Sequence, residues 1–150
     1  MSTNSTLSPQ IISQLRKNIR GQVLTDTPSR GRYATDASIY QQFPLGVVIP
    51  ESASDIEAVL EIAREHQIPI LPRGGGTSQC GQTTGIALVL DNTHFFRKSL
   101  QIDPEKGVAE VEPGMVLDHL NAELKKHGLW FPVDVSTSAQ ATIGGMAGNN

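Results

Sequence analysis

The chain has one cysteine, Cys80, among 150 residues. That excludes an internal disulfide and any cysteine-cluster metal or iron–sulfur site within these residues. There is no basic run and the net charge is −3, so the sequence offers no electrostatic case for nucleic acid as a partner. The apolar runs are short, and one such as "IALVL" is far below the length that spans a bilayer. The opening "MSTNSTLSPQ" lacks a basic region followed by an apolar core and so does not read as a secretory signal. The cytoplasm is the expected location, with peripheral membrane attachment through other segments left open. Hydrophobic residues make up only 38%, low for a globular domain but well above the disordered range. This length fits one domain, able to bury roughly 70% of its unfolded surface.

Glycine, by contrast, is plentiful and clustered. Most of the 14 glycines fall in "PRGGGTSQCGQTTG" and "ATIGGMAGNN" or at element ends. Residues Met1 to Thr6 read as a disordered polar start. Ser8-Pro9 predicts a helix start, with Ile11, Ile12, Leu15 and Ile19 on one face and Gly21 as the stop. Residues 22–44 read as ordered but irregular. "GVVIP" predicts a buried strand, Ser54-x-x-Glu57 a capping box, and Ile56, Val59, Leu60 and Ala63 the core face of a helix. "IPIL" predicts a second strand, completing a β–α–β unit. "IALVLD" predicts another strand, and "LQIDPEKGVAEVEPG" a hairpin turning at Asp103–Gly107. Val116, Leu117, Leu120 and Leu124 predict an amphipathic helix closed by Gly128. Strands and helices are mixed, and the hairpin breaks strict βαβ alternation.

The first glycine cluster leaves the carboxyl end of a strand, where open α/β sheets bind ligands. As a G-x-G-x-x-G fingerprint it fails at Gln79. As a P-loop it fails at Gln82, which stands where the phosphate-binding lysine belongs. Both motifs also require a helix next, and a strand is predicted instead. The logic of anion contact survives. Gly74, Gly75 and Gly76 permit close backbone approach, successive N–H groups can form a nest, Thr77 and Ser78 add hydroxyls, and Arg73 adds charge. That suits a pyrophosphate that is held and not cleaved, and on this reading Gly75→Val fills space that a phosphate oxygen needs. The plainer alternative is a flexible loop with turn glycines. In the second cluster, Thr142 caps a predicted helix with Gly144-Gly145 in its first turn, leaving N–H groups open to a ligand. Cys80 reads as a small packed residue, with a redox role as the alternative. His66, His94, His119 and His127 are scattered without metal-ligand spacing.

Six segments in order, "RYATDASIY", "PLGVVIPES", "PRGGGTSQCGQTTG", "VEPGMVLDHLN", "GLWFPVD" and "ATIGGMAGNN", resemble the FAD-binding (PCMH-type) domain of the vanillyl-alcohol oxidase / p-cresol methylhydroxylase superfamily. Within it they are most similar to the FAD-linked D-2-hydroxyacid dehydrogenases: the D-lactate dehydrogenase, glycolate oxidase large-subunit and D-2-hydroxyglutarate dehydrogenase types. The resemblance implies an N-terminal segment, 1–31, and a PCMH-type domain, 32–150. That domain has a first subdomain with the βαβ unit and the start of a second, incomplete at its C-terminus. It implies that both subdomains are α+β, with FAD held between them. The implied contacts are Arg73, Gly74, Gly75, Gly76, Thr77 and Ser78, continued by Gly81 and Gln82. Pro132 and Asp134 follow in the Pro-x-Asp position, then Thr142, Gly144, Gly145, Gly148 and Asn149 in the second segment. Some relatives attach FAD to a His where Thr77 stands here, so the FAD is expected to be non-covalent.

The implied reaction is oxidation of a D-2-hydroxy acid to the 2-oxo acid, with an electron acceptor engaged outside these segments. No catalytic residue and no oligomeric state is assigned. Another flavin oxidase on the same scaffold, acting on an aromatic alcohol or a sugar, is one alternative. A fragment that binds FAD weakly or not at all, and is inactive alone, is the other.

Overall fold

The computed structural model describes residues 6–98 and 100–149. Most of the expected polar start, residues 1–5, and the last residue of the second glycine cluster, Asn150, lie outside the described residues. Helix α1 (Pro9–Asn18) opens as predicted, with Ser8 Oγ accepting from Ile11 N–H at 3.3 Å. Gly21 stops it for an unexpected reason. It has no left-handed φ; a Cβ there would sit 2.2 Å from Ile49 O. Glycine at this position lets strand β1 (Gln22–Leu24) run beside β2 (Gly46–Ile49). Between them lies α2 (Thr27–Arg32), capped by Asp26. Neither β1 nor α2 was predicted within the irregular stretch.

Helix α3 (Ala53–Glu65) is capped by Ser52, not by the Ser54–Glu57 box that the sequence suggests. The deciding residue is Asp55, which is 3% exposed. Its carboxylate accepts from the amides of Arg20, Gly21 and Glu51 at 2.9–3.1 Å, fastening α3 to the end of α1. Burial works to raise the pKa of Asp55, but the three amides outweigh it and hold the group below its ordinary 3.8. Leu60, placed on the core face by periodicity, is 46% exposed; Ile62 takes that place, with Val59 and Ala63.

Strands β3 (Ile70–Arg73) and β4 (Leu88–Asp91) complete a sheet of order β1-β2-β4-β3. Both β2 and β3 run parallel to β4, so the β–α–β unit spans a gap that β4 fills. Alternation along the strands divides the core. Val48, Leu88 and Leu90 pack with Leu15 and Ile19 of the α1 segment and with Val59 and Ile62 of α3. Val47, Ile49 and Val89 face the other way, against Tyr33 and Phe95.

A separate small core follows. The hairpin of β5 (Leu100–Asp103) and β6 (Val108–Val111) turns where predicted, with Gly107 at φ +64°. Met115 and residues of α4 (Leu117–Leu124) pack on it together with Phe131 and Ile143. A 3₁₀ turn (Lys125–His127) ends at Gly128, φ +70°, as predicted. The chain then reaches α5 (Ile143–Asn149). No helix among the described residues is long and apolar enough to cross a membrane.

Candidate functional site

The glycine loop joins β3 directly to its parallel neighbour β4. Parallel strands need a crossover of a dozen or more residues, and here residues 74–87 supply it without a helix. The strand predicted after the loop is therefore present, and the helix that nucleotide fingerprints demand is not.

Two segments shape the loop from either side. The first is 33–42, closed on itself by Gln42 N–H to Ala34 O at 2.8 Å and by a Thr35–Gln41 bridge. It straps the loop at four points. Ala37 N–H donates to Gly76 O at 3.1 Å. Asp36 accepts from the Thr83 hydroxyl at 3.0 Å and the Thr83 amide at 3.3 Å. The Tyr40 ring lies where a Cβ of Gly81 (φ +74°) would come within 2.6 Å. The fourth point is Arg73, whose Nη1 donates to Tyr33 O and Thr83 O and whose Nη2 donates to Thr35 O at 2.8 Å. Beneath the strap, Tyr33 Oη donates to Asp91 at 2.7 Å. Asp91 is 4% exposed and also accepts from Thr93 N–H and Oγ1. Burial first, then that hydrogen bond, raises the Tyr33 pKa well above its ordinary 10.0. Burial also pushes the Asp36 carboxyl up, but hydrogen bonds from Ser38 and Thr83 outweigh it and keep the group below 3.8.

The second segment is the tail. A Cβ on Gly74 would lie 2.1 Å from Thr142 Oγ1, and one on Gly75 would lie 2.2 Å from Gln140 O. These two glycines are thus required by the approach of the tail, a constraint separate from any ligand. Gln82 Nε2 donates to Asn149 Oδ1 at 3.2 Å, a second link. Thr142 is 2% exposed and caps α5 as predicted, accepting from Gly145 N–H at 3.3 Å. The first amides of α5 are nevertheless not open, contrary to expectation. Ile143 N–H donates to Met115 O and Gly144 N–H to Pro113 O, both at 2.9 Å. A Cβ on Gly144 would press on Pro113, whereas one on Gly148 would meet nothing within 4 Å.

The loop's own amides differ. From Gly74 through Gly75, Gly76, Thr77 and Ser78 to Gln79, none donates to an acceptor among the described residues. The next amide, Cys80 N–H, and that of Gln82 turn back onto Ser78 Oγ, whose own proton goes to Gln82 Oε1. Gly75 and Gln79 are exposed, but Gly74, Gly76, Thr77 and Ser78 are half-buried, where backbone donors are normally satisfied, so the run is a candidate anion-binding feature. No carboxylate lies within that run. Successive unpartnered N–H groups are the donor type that a pyrophosphate takes, and Thr77 carries a hydroxyl within the run.

The Arg73 guanidinium donates to three main-chain carbonyls. Burial lowers its pKa from 12.5, opposed by Asp36 and Asp91, and an arginine stays charged through such a shift. Pro132 and Asp134 are exposed beside Trp130, with no hydrogen bond to the loop or tail. Cys80 is exposed, not packed. Sequence reasoning gave no role to Tyr33, Asp36, Thr83 or Asp91. Tyr33 and Asp36 fall in "RYATDASIY", Thr83 in the first glycine segment and Asp91 at the end of "IALVLD", and none of these segments marks the residue's partner.

Comparison with known proteins supplies the family. The profile described as FAD binding domain matches residues 44–150. D-2-hydroxyglutarate dehydrogenase of Pseudomonas putida is 40% identical over 142 residues, covering 92% of this chain and 14% of that protein. Glycolate oxidase subunit GlcD of Bacillus subtilis is 38% identical over 130 residues, covering 83% and 27%. The chain thus spans between a seventh and about a quarter of the length of these curated relatives. Among solved structures, alkyldihydroxyacetonephosphate synthase superposes with TM-score 0.83 at 20% identity, covering 97% of this chain and 30% of that one. p-Cresol methylhydroxylase with substrate bound superposes with TM-score 0.70 at 23% identity, covering 93% and 28%. At these identities the superpositions speak for the fold alone, and that fold is the expected α+β, PCMH-type one. The chain belongs to the FAD binding domain family.

Proposed function

We propose that this chain is the FAD-binding portion of a flavin-dependent oxidoreductase that converts a D-2-hydroxy acid to the 2-oxo acid. The observation that carries the cofactor half is the run of open amides from Gly74 to Gln79, backed by the tail and held by the strap. Those amides and Thr77 would face the pyrophosphate of FAD. Gln82 and Asn149 bond each other across loop and tail, and they, with Gly81, Gly145 and Gly148, are proposed to continue the contact. Pro132 and Asp134, which stand apart, are proposed to meet the cofactor from the second core. Thr77 offers no imidazole for attachment, so FAD is proposed to bind non-covalently.

The reaction takes two electrons and two protons from the C2 carbinol, and FAD supplies the electron acceptance. The protein contributes binding and orientation. The substrate class rests on the relatives' names, which are a D-2-hydroxyglutarate dehydrogenase and a glycolate oxidase subunit.

One observation favours a second reading, in which the chain by itself retains little flavin. Val108, Trp130 and Val133 leave apolar surface exposed around the second core. One titration separates the two. FAD and riboflavin are each added to the flavin-free chain and flavin fluorescence is followed. The amide run predicts FAD binding at least about tenfold tighter than riboflavin, since only FAD brings the pyrophosphate. Equal or absent binding of both would overturn the proposal. Flavin that stayed with the protein after acid precipitation would overturn the non-covalent part.

A further inference from the structure

Arg73 is the one cation in the loop, and a charge beside a pyrophosphate would ordinarily be assigned to it. Its surroundings argue otherwise. Three of the guanidinium's five N–H donors are taken by the carbonyls of Tyr33, Thr35 and Thr83. Its carbon lies 5.4 Å from the centroid of the Tyr33 ring. On another side is the Cα of Gly76. A Cβ there would stand 2.5 Å from Nη2, 3.1 Å from Cζ and 3.3 Å from Nε. Gly76 also has φ +67°, the backbone turn that brings its carbonyl to Ala37 N–H. Arg73 thus joins through one side chain three stretches of chain, the strap, the start of the loop and its far side at Thr83, which are otherwise linked by separate bonds at Ala37 and Asp36.

We propose that Arg73 is a positioning residue that fixes the shape of the open amide run, and not a phosphate ligand. The proposal deepens the reading of the loop given above and rests on it. A guanidinium suits the task because its planar fork serves several carbonyls at fixed angles. An ammonium has the same charge but no fork, so lysine cannot replace it. The charge itself is secondary.

The test uses three variants of the flavin-free chain, R73K, R73A and G76A, with folding checked by far-UV circular dichroism. Amide hydrogen exchange at Ala37 and Thr83 reads the strap with no ligand present. In R73K and G76A those two amides should exchange at least about tenfold faster, while the amides of α3 keep wild-type rates. Wild-type exchange at Ala37 and Thr83 in R73K would overturn the proposal. FAD affinity should fall about tenfold or more in R73K even though the charge is kept. Affinity retained in R73K and lost in R73A would identify a phosphate charge and also overturn it.

A measurement on the wild-type chain needs no variant to fold. Inorganic pyrophosphate is titrated while the Arg73 side-chain resonances and the amides of Gly74–Gln79 are followed by NMR. The amides should move and the guanidinium should not; a guanidinium that moves with the amides refutes the idea. Should neither FAD nor pyrophosphate bind, the function proposed above falls. The exchange rates would still decide whether Arg73 holds the strap.

Discussion

Replacing Gly75 with alanine separates packing from ligand contact. An ideal Cβ at this position lies 2.2 Å from Gln140 O and 3.0 Å from its carbonyl carbon. That is about 1 Å inside ordinary contact, and the obstacle is backbone, which cannot rotate aside. Gly75 is not in the left-handed region, so the penalty is steric and not conformational. Overpacking of this kind costs about 1–3 kcal/mol. At about 2 kcal/mol a chain of this size should lose roughly 4–8 °C in Tm. The assay is thermal unfolding of flavin-free G75A beside wild type, with G148A as the control, since a Cβ on Gly148 meets nothing within 4 Å. G75A at the wild-type midpoint would mean that loop and tail do not touch at Gly75 and Gln140. The larger Gly75→Val, aimed at phosphate room, meets the same carbonyl first. It therefore reports on flavin contact only after this packing loss has been subtracted.

Other changes probe the frame around the loop. Asp55→Ala strips the acceptor from the amides of Arg20, Gly21 and Glu51 and should cost about 1–3 kcal/mol in urea unfolding; an unchanged urea midpoint would contradict the fastening of α3 to the end of α1. Asp36 and Asp55 both have folded pKa values below the ordinary 3.8. Their stabilisation is complete above the unfolded value and is lost as pH falls through the folded ones. Urea midpoints should therefore hold down to about pH 4 and drop below it, less steeply in D55N; a drop that begins near pH 6 would assign the transition to other groups. Tyr33→Phe leaves one oxygen of buried Asp91 without its phenol donor and should cost about 1–3 kcal/mol, and in the wild type this phenol should ionise only on alkaline unfolding. Gly148→Ala should leave Tm unchanged or slightly raised yet lower FAD affinity if the cofactor approaches there; unchanged affinity removes Gly148 from the contact surface.

How far the chain could be read depended on how local each cause is. The Ser8-Pro9 start, the Asp103–Gly107 turn and the Gly128 stop are set by residues within a few positions, and all three stand as predicted. Strand β1, with three residues, and α2, with six, are too short to show a period. The first exists because Gly21 lets the chain reach β2. The shift of the α3 cap from Ser54 to Ser52 has a distant cause as well, since Asp55 answers to amides at 20 and 21. Leu60 fits the helical stripe, but Ile62 points more directly at α1. The insertion of β4 between β2 and β3 leaves no trace in any single segment.

The glycine segments show the same divide at the site. Each looks like half of one grip, because glycine marks close approach without saying what approaches. In the fold, the amides of α5's first turn are satisfied by Met115, Pro113 and Thr142, whereas those of Gly74–Gln79 remain open. The tail is therefore a buttress as well as a candidate contact. Its Gln140 carbonyl and Thr142 hydroxyl press on Gly74 and Gly75 from behind. Arg73 could not be read from sequence for a related reason: its partners are main-chain carbonyls, and a carbonyl has no letter. On the proposed reading, a loop that keeps six adjacent amides open for an anion needs its other hydrogen bonds made elsewhere. Asp36, Arg73, Thr83 and Ser78 make them. This explains why the strap at 33–42, with no glycine of its own, matters as much to the donor run as the glycines within it.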